Sequence, residues 1–116
     1  MPIHNYHTAI ATGAANGIGA ASVRMLCAAG LNVLSIDKDV DALSKLKDET
    51  GCQIMAMDLQ KTDQIYERLE SYQCDVLINN AGIAHDLSAG FLGATPSQVD
   101  EMLTVNVSAA VHIIRA

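Results

Sequence analysis

Short runs of β-branched and other apolar residues recur along the chain, and longer stretches with helical periodicity separate them. The runs predict four strands, at residues 7–11, 32–36, 53–57 and 75–79. They do not alternate cleanly between apolar and polar positions, which is typical of strands that are buried on both faces of a sheet. The pattern therefore indicates strands that lie inside a layered fold.

The stretches between the strands carry the start and stop signals of helices. Residues 20–29 are rich in good helix formers and are followed by Gly30, which predicts the first helix and its end. Either Asp39 or Asp41 can cap a second helix that runs to residue 49. These signals predict helices in the connections rather than loops.

Two further helices are predicted after the third and fourth strands. Either Thr62 or Asp63 can cap a helix that ends near residue 71. The last helix begins at Thr95-Pro96-Ser97-Gln98, which has the form of a capping box with proline at the first helical position. Strands and helices thus alternate throughout, which predicts an α/β fold with a doubly wound parallel sheet and right-handed crossovers. We expect residues 1–116 to form one domain, with no second domain.

Composition and charge narrow the classes of partner. The chain is 50% hydrophobic and only 17% charged, which argues against disorder. Its net charge of −6 repels phosphate groups, so we expect neither a nucleic acid nor an anionic membrane as partner. No apolar run reaches the roughly 20 residues that a membrane span needs. The first residues do not resemble a secretory signal.

The cysteines indicate a reducing compartment, and we expect a cytoplasmic location. Cys27, Cys52 and Cys74 are odd in number and widely spaced, and they form no C-x-x-C pair. We interpret each of them as a small buried hydrophobic residue rather than a reactive thiol. No carboxylate–histidine cluster has the spacing of metal ligands, so no bound metal is predicted.

A glycine-rich turn joins the first strand to the first helix. It reads Thr12-Gly13-Ala14-Ala15-Asn16-Gly17-Ile18-Gly19. Gly13 allows a tight exit from the strand, Gly17 lets the backbone approach a bulky anion, and Gly19 permits close packing of the helix on the sheet. The N-terminus of the helix offers unpaired N–H groups and a partial positive charge to a phosphate. Three glycines in this first connection indicate dinucleotide binding, and the alternative is an ordinary strand-to-helix turn.

Asp37 follows the second strand directly, where the ribose of a bound adenosine would lie. A carboxylate at this position can accept hydrogen bonds from both ribose hydroxyls. It would also repel a 2′-phosphate, so NAD(H) is predicted in preference to NADP(H). Lys38 complicates this prediction because a basic neighbour could offset part of the repulsion. We interpret Lys38 as a solvated loop charge.

With these residues in view, the chain resembles the short-chain dehydrogenase/reductase family. Residues 12–19 resemble the family's T-G-x-x-x-G-x-G turn, and Asp37 matches its acidic, NAD-selecting position. Asp58-Leu59 resembles the pair that holds the adenine ring, and residues 79–82 match the N-N-A-G motif. Asn106 matches an asparagine that the family uses to hold a water molecule in its proton relay. The motifs occur in the family's order along essentially the whole chain.

The resemblance implies a Rossmann-like fold and an oxidoreductase that transfers hydride between a nicotinamide and an alcohol or carbonyl substrate. It implies that the pyrophosphate and ribose are held by Gly13, Asn16, Gly17, Ile18 and Gly19. The adenine would be held by Asp58 and Leu59, and the cofactor would lie along Asn80, Ala81 and Gly82. The full-length form would be a homo-oligomer. His85 and Asp86 follow in a loop that we interpret as solvated, with substrate contact as the alternative.

The chain departs from the family at the catalytic Ser and the Tyr-x-x-x-Lys motif. The residues four after Tyr6, Tyr66 and Tyr72 are isoleucine, glutamate and valine. We therefore expect the fold to be truncated after the fourth strand and its following helix, leaving the cofactor-binding portion of an enzyme. The alternative is a complete, non-catalytic dinucleotide-binding or interaction module.

Overall fold

The computed structural model describes residues 5–83 and 93–116 of the chain. Within these ranges the strands form a parallel four-stranded sheet in the order β3-β2-β1-β4. The strands are β1 (Thr8–Thr12), β2 (Asn32–Asp37), β3 (Gln53–Ala56) and β4 (Val76–Ile78). The predicted parallel α/β sheet is confirmed. Each observed strand lies within one or two residues of its predicted position.

Helices occupy the connections between the strands and the last described part of the chain. They are α1 (Gly17–Ala28), α2 (Val40–Thr50), α3 (Thr62–Leu69), α4 (Pro96–Leu103) and α5 (Ala110–Arg115), and a π-helical segment (Thr104–Ala109) joins the last two. None of the described helices is long and apolar enough to span a membrane.

The first helix begins three residues earlier than predicted. The amide of Ala20 donates to the carbonyl oxygen of Asn16 (3.2 Å), so the first helical hydrogen bond closes over Gly17 and Gly19. Glycine is a poor helix former, and helix propensity therefore favoured a start at Ala20. The observed start places the backbone amides of both glycines in the first turn of α1.

The structure resolves the open choices of helix caps. Asp39 caps α2, because its Oδ1 accepts from the amide of Ala42 at 3.0 Å. Neither Thr62 nor Asp63 caps α3, whose N-cap is Lys61 without a side-chain bond. The predicted capping box of α4 is confirmed by reciprocal hydrogen bonds between residues 95 and 98 at 3.1 Å and 2.9 Å.

The described residues fall into two compact units. The first contains the sheet with α1 and α2 and consists of the residues up to 58 together with 71–81. Its core is an apolar cluster from β1, β2 and the two helices, including Ala9, Ala11, Val23, Val33 and Leu43. In this unit Cys52 is buried and Cys27 is half-buried, but Cys74 is exposed, so its prediction as a buried residue is wrong. Cys74 precedes β4 and therefore lies outside the strand whose neighbours would cover it.

The second unit contains α3, α4, the π-helical segment and α5. It consists of residues 59–70 and the described residues after 81. The hydroxyl of Tyr66 on α3 lies 2.7 Å from Nδ1 of His112 on α5, and the two rings meet edge to face. These contacts tie α3 to the last helix.

Candidate nucleotide-binding site

Gly13 turns the chain sharply at the end of β1. Its φ of +61° lies in the left-handed region, which glycine adopts without the strain of a side chain. A Cβ at this position would come within 2.9 Å of the Cα of Ala81 and 3.0 Å of the Nδ2 of Asn80. The turn after β1 therefore lies directly against the chain that leaves β4.

Gly17 and Gly19 are needed for different reasons. A Cβ on Gly19 would overlap the carbonyl group of Gly13, so this glycine lets α1 pack on the turn itself. The sequence predicted instead that Gly19 permits close packing of the helix on the sheet. The structure shows that the group closest to Gly19 is the carbonyl group of Gly13 in the turn. Gly17 has a φ of +57°, and a Cβ there would meet nothing within 4 Å. Open space therefore lies beside the backbone of Gly17.

The N-terminus of α1 lacks the side-chain cap that α2 and α4 possess. Asn16 at the N-cap position is extended, its side chain makes no capping hydrogen bond, and the first turn has no acidic residue. An uncapped helix start leaves backbone N–H donors and a partial positive charge available to a ligand. Its geometry and charge therefore suit an anion beside Gly17.

Thr12 is a positioning residue that the sequence analysis did not single out. Its buried hydroxyl oxygen accepts from the amides of Asn80 (3.1 Å) and Ala81 (3.0 Å). The Nδ2 of Asn80 in turn donates to the carbonyl oxygen of Gly13 at 3.4 Å. These bonds hold the N-N-A-G segment against the glycine-rich turn. A buried threonine ending an apolar strand is a weak signal for such a role.

Asp37 is half-buried at the end of β2, and its carboxylate contacts the glycine-rich turn. Its Oδ2 accepts from the amide of Ala15 at 3.0 Å, and its Oδ1 accepts from the amide of Asp39 at 3.1 Å. A carboxylate has about four lone-pair sites, so two accepted bonds leave capacity for further donors. Lys38 is exposed beside it. The predicted neighbourhood of Asp37 and the turn is therefore present.

Asp58 follows β3 at the same edge of the sheet. The amide of Met57 donates to the carbonyl oxygen of Asp37 at 2.9 Å, which extends the pairing of β3 with β2 beyond the strand. Asp58 comes next and is half-buried. The carboxyl ends of β1, β2 and β3 thus bring the turn, Asp37 and Asp58 to one edge.

Asn106 lies in the π-helical segment of the second unit. Its Oδ1 accepts from the amide of Ile83 at 2.7 Å, and its Nδ2 donates to the carbonyl oxygen of Ile83 at 2.8 Å. The side chain therefore pairs with the backbone as a neighbouring strand would. The sequence predicted an uninterrupted helix here; π-helical turns are often found at functional sites.

The predicted site residues are divided between the two units. The first unit contains Gly13, Asn16, Gly17, Ile18, Gly19, Asp37, Asp58, Asn80 and Ala81. The second contains Leu59, which is buried, Gly82 and Asn106. His85 and Asp86 lie outside the described residues. Among residues 5–83 and 93–116, no group of three or more His, Cys, Asp or Glu side chains could hold a metal ion.

Comparison with known proteins finds relatives among dehydrogenases and reductases. The chain is 32% identical over 114 residues to an uncharacterized short-chain type dehydrogenase/reductase of Sinorhizobium fredii, covering 98% of this chain and 46% of the relative. It is 28% identical to the very-long-chain 3-oxoacyl-CoA reductase of Candida glabrata, covering 90% of this chain and 33% of that protein. The chain thus spans between a third and a half of these relatives.

Solved structures of oxidoreductases superpose on this chain. A metagenomic short-chain oxidoreductase in complex with NADP superposes with a TM-score of 0.86 at 32% identity, over 95% of this chain and 54% of that one. Serine dehydrogenase from Escherichia coli superposes with a TM-score of 0.82 at 29% identity, over 94% and 53% of the two chains. The family model described as short chain dehydrogenase matches residues 7–116. The chain therefore belongs to the short-chain dehydrogenase family.

Proposed function

We propose that this chain supplies the nicotinamide-dinucleotide site of an NAD(H)-dependent oxidoreductase that interconverts an alcohol and a carbonyl compound. The observation that carries the proposal is the uncapped N-terminus of α1, with open space at Gly17 and the carboxylate of Asp37 bonded to the adjoining turn. Membership of the dehydrogenase family supports the reaction class. The bound dinucleotide would supply the hydride donor or acceptor.

The turn residues would bind the pyrophosphate and its ribose. The N–H groups at the start of α1 would donate to phosphate oxygens, and the bare backbone of Gly17 would allow them to approach closely. Gly13 and Gly19 would shape this surface rather than contact much of the ligand, because each is packed against protein atoms. Asn16 and Ile18 are both exposed beside the turn and would flank the bound group.

Asp37 would select NAD(H) over NADP(H). Two hydrogen bonds from backbone amides hold the Asp37 carboxylate in place. Rotating the carboxylate away from a 2′-phosphate would break these hydrogen bonds. Two unit charges about 4 Å apart repel by about 4 kcal/mol at an effective dielectric constant near 20. Lys38 is exposed to solvent, which weakens any compensation that it could offer. Several similar structures contain NADP, so the preference is proposed for this chain on its own residues.

The remaining site residues would line the cofactor. Asp58 and Leu59 would hold the adenine ring, and Asn80, Ala81 and Gly82 would form the surface along which the dinucleotide lies. Thr12 would position that surface through the two hydrogen bonds that its hydroxyl oxygen accepts from the amides of Asn80 and Ala81. Asn106 would fix the backbone at Ile83 and belong to the proton relay.

A second copy of the chain would cover an apolar stripe on the last helices. Leu103, Val107, Val111 and Ile114 are between 55% and 71% exposed, and they recur at intervals of four, four and three residues. This spacing places them along one side of a helix, as in helix–helix interfaces. We assign this apolar stripe to a homo-oligomer contact. The unpaired cysteines support a location in a reducing compartment such as the cytoplasm.

Two glycine variants test cofactor binding at the turn. Gly17 and Gly51 both have a positive φ, +57° and +75°, and a Cβ on either would meet nothing within 4 Å. Alanine should therefore impose a similar backbone strain of about 1 kcal/mol at both positions. We expect Gly17→Ala to weaken NAD binding at least tenfold in calorimetry, while Gly51→Ala binds like the wild type. Equal binding by the two variants would contradict the assignment of the turn.

A further inference from the structure

Asn16 and Gly17 form the one Asn-Gly pair in the sequence, and they lie at the start of α1. Asparagine is chemically labile, because the backbone nitrogen of the next residue can attack the carbon of its side-chain amide. A glycine in that next position has no Cβ to hinder the attack. The other asparagines precede tyrosine, valine, asparagine or alanine. The sequence thus concentrates this reactivity at the glycine-rich turn.

The structure leaves both reacting groups accessible. Asn16 and Gly17 are exposed, and the side chain of Asn16 makes no capping hydrogen bond within the described residues. The amide of Gly17 is the first of α1, so it has no partner inside the helix. Asn16 also lines an open cavity of about 520 Å³ between α1 and α2, which gives water access to its side chain.

One hydrogen bond opposes the reaction. The carbonyl oxygen of Asn16 accepts from the amide of Ala20, and ring closure must turn the backbone about the Cα–C bond of Asn16. This hydrogen bond measures 3.2 Å, which is the long end of the usual range, and it belongs to the terminal turn of α1, where helices fray. The rotation therefore costs one terminal hydrogen bond and leaves the packed part of the helix intact.

We propose that Asn16 deamidates spontaneously and that the carboxylate so formed regulates dinucleotide binding at the turn. Base removes the amide proton of Gly17, and the nitrogen attacks the Cγ of Asn16. A C–N bond forms, the side-chain nitrogen leaves as ammonia after taking up a proton, and a cyclic imide remains. Water then adds to one carbonyl carbon of the imide and breaks its bond to nitrogen. Opening at Cγ gives aspartate, and opening at the backbone carbon gives isoaspartate.

Both products carry a negative charge at the N-terminus of α1, and its effect on binding rests on the proposed function. A carboxylate at the N-cap accepts from the amides of the second or third helical residue, here Ile18 and Gly19, and it is attracted by the positive end of the helix. It therefore occupies donors proposed for the pyrophosphate and repels the phosphate charge. We expect conversion to weaken NAD binding by about tenfold or more.

Peptide analysis tests the modification itself. The full chain is aged in mildly alkaline buffer and digested, and each asparagine peptide is analysed by mass spectrometry. Asn32 is also exposed but precedes Val33, so it serves as the internal control. We expect conversion at position 16 to be at least about tenfold faster than at Asn32, because glycine does not hinder the attack as a β-branched residue does. The rate should rise with pH, and isoaspartate should appear beside aspartate.

Equal rates at Asn16 and Asn32, or an Asn16 amide that survives ageing, would overturn the proposal. Asn16→Gln provides the matched control, because its longer side chain closes a larger ring much less readily. This variant should keep its side-chain amide under the same conditions. Rapid loss of ammonia from the Asn16→Gln chain would show that the reaction occurs at another residue.

Calorimetry with NAD⁺ tests the regulatory consequence. Fresh and aged samples of the wild type are compared with fresh and aged samples of Asn16→Gln, and ageing should lower the affinity of the wild type alone. Equal NAD⁺ affinity of fresh and fully converted wild type would overturn the regulatory effect. A fresh wild type that binds no NAD⁺ would contradict the proposed function and this effect with it, whereas the peptide analysis would still decide whether Asn16 deamidates.

Discussion

Thr12 and Ser35 are buried hydroxyl groups in neighbouring central strands, but their hydrogen bonding differs. The Thr12 oxygen accepts from two amides, whereas the Ser35 oxygen has no hydrogen-bond partner within the described part of the chain. A buried polar group without a partner costs stability, and removing one member of a bonded set leaves the others unsatisfied. The two residues therefore give opposite predictions.

We expect Thr12→Val to lower the free energy of unfolding by about 1–3 kcal/mol, because two buried amides lose their acceptor. Ser35→Ala should leave the free energy of unfolding unchanged or raise it by about 1 kcal/mol. Urea unfolding of both variants beside the wild type measures these changes. A loss on Ser35→Ala as large as that on Thr12→Val would show that Ser35 has a partner after all.

Asp75 predicts a pH dependence of stability. Its Oδ2 accepts from the amides of His7 (2.7 Å) and Thr8 (3.0 Å), and these bonds hold the pKa of the carboxyl below its usual value. A carboxyl with a lowered pKa in the folded state stabilises the fold above the unfolded pKa, which is about 3.9. That contribution disappears as the pH falls from there through the folded-state pKa.

Asp75→Asn should therefore lose stability at pH 7 and show a shallower decline of stability than the wild type as the pH falls below about 4. Asp48→Asn, which changes an exposed carboxylate on α2, provides the control. The measurement is the unfolding midpoint in urea across this pH range. Parallel pH profiles for wild type and Asp75→Asn would contradict the role of the carboxylate.

At the residue scale, the sequence predicted side chains whose chemistry is visible in their type and local position. Asp37 after β2 and the glycines after β1 belong to this group. The partners of Thr12, Asp75 and Asn106 could not be predicted, because they lie 68, 68 and 23 residues away. Such bonds depend on which strand ends meet in space, and no local pattern records that.

At the element scale, the apolar runs predicted the strands closely because burial of both faces leaves a clear signal. The predicted helix starts were less accurate. The low helix propensity of glycine led to a predicted start of α1 that is three residues too late. The residues Thr62 and Asp63 suggested a side-chain cap for α3 that the structure lacks. The π-helical segment was not predicted, because its apolar spacing continues that of the flanking helices.

The apolar stripe defined above gives a prediction at this scale. Val111→Lys places a charge on the stripe, and Val40→Lys places one on α2 at a site of similar exposure, 54% against 57%. We expect the wild type to self-associate and Val111→Lys to shift it towards monomer, because burying a lysine charge at a helix contact is costly. Val40→Lys should behave like the wild type.

Light scattering coupled to size-exclusion chromatography measures this association. A wild-type chain that is monomeric at all concentrations, or equal association of the two lysine variants, would refute the assignment of the stripe.

At the scale of the molecule, the two ends of the sheet in the first unit have different chemistry. The carboxyl ends of the strands carry the glycine-rich turn, Asp37 and Asp58, and the opposite ends carry Asp75 and a cavity of about 250 Å³ that is lined in part by Cys27 and Cys52. In parallel sheets, ligands bind beyond the carboxyl ends of the strands. This polarity concentrates the proposed cofactor contacts at one edge.

Family membership rests on the whole matched length, whereas cofactor preference rests on very few side chains. The chain spans between a third and a half of its relatives, and similar structures contain NADP. The proposed preference for NAD(H) therefore depends on the fixed carboxylate of Asp37 and on the weak influence expected of Lys38. It is the central claim, and it can be measured without a substrate.

The most direct test is calorimetric titration of the chain with NAD⁺ and with NADP⁺. We expect NAD⁺ to bind at least tenfold more tightly, a difference of about 1.4 kcal/mol or more. Asp37→Asn removes the charge but keeps an oxygen that can accept from the amide of Ala15, and it should reduce the ratio of NAD⁺ affinity to NADP⁺ affinity. Lys38→Ala should leave this affinity ratio unchanged. Equal affinity of the wild type for both dinucleotides, or no heat from either at millimolar concentration, would contradict the account.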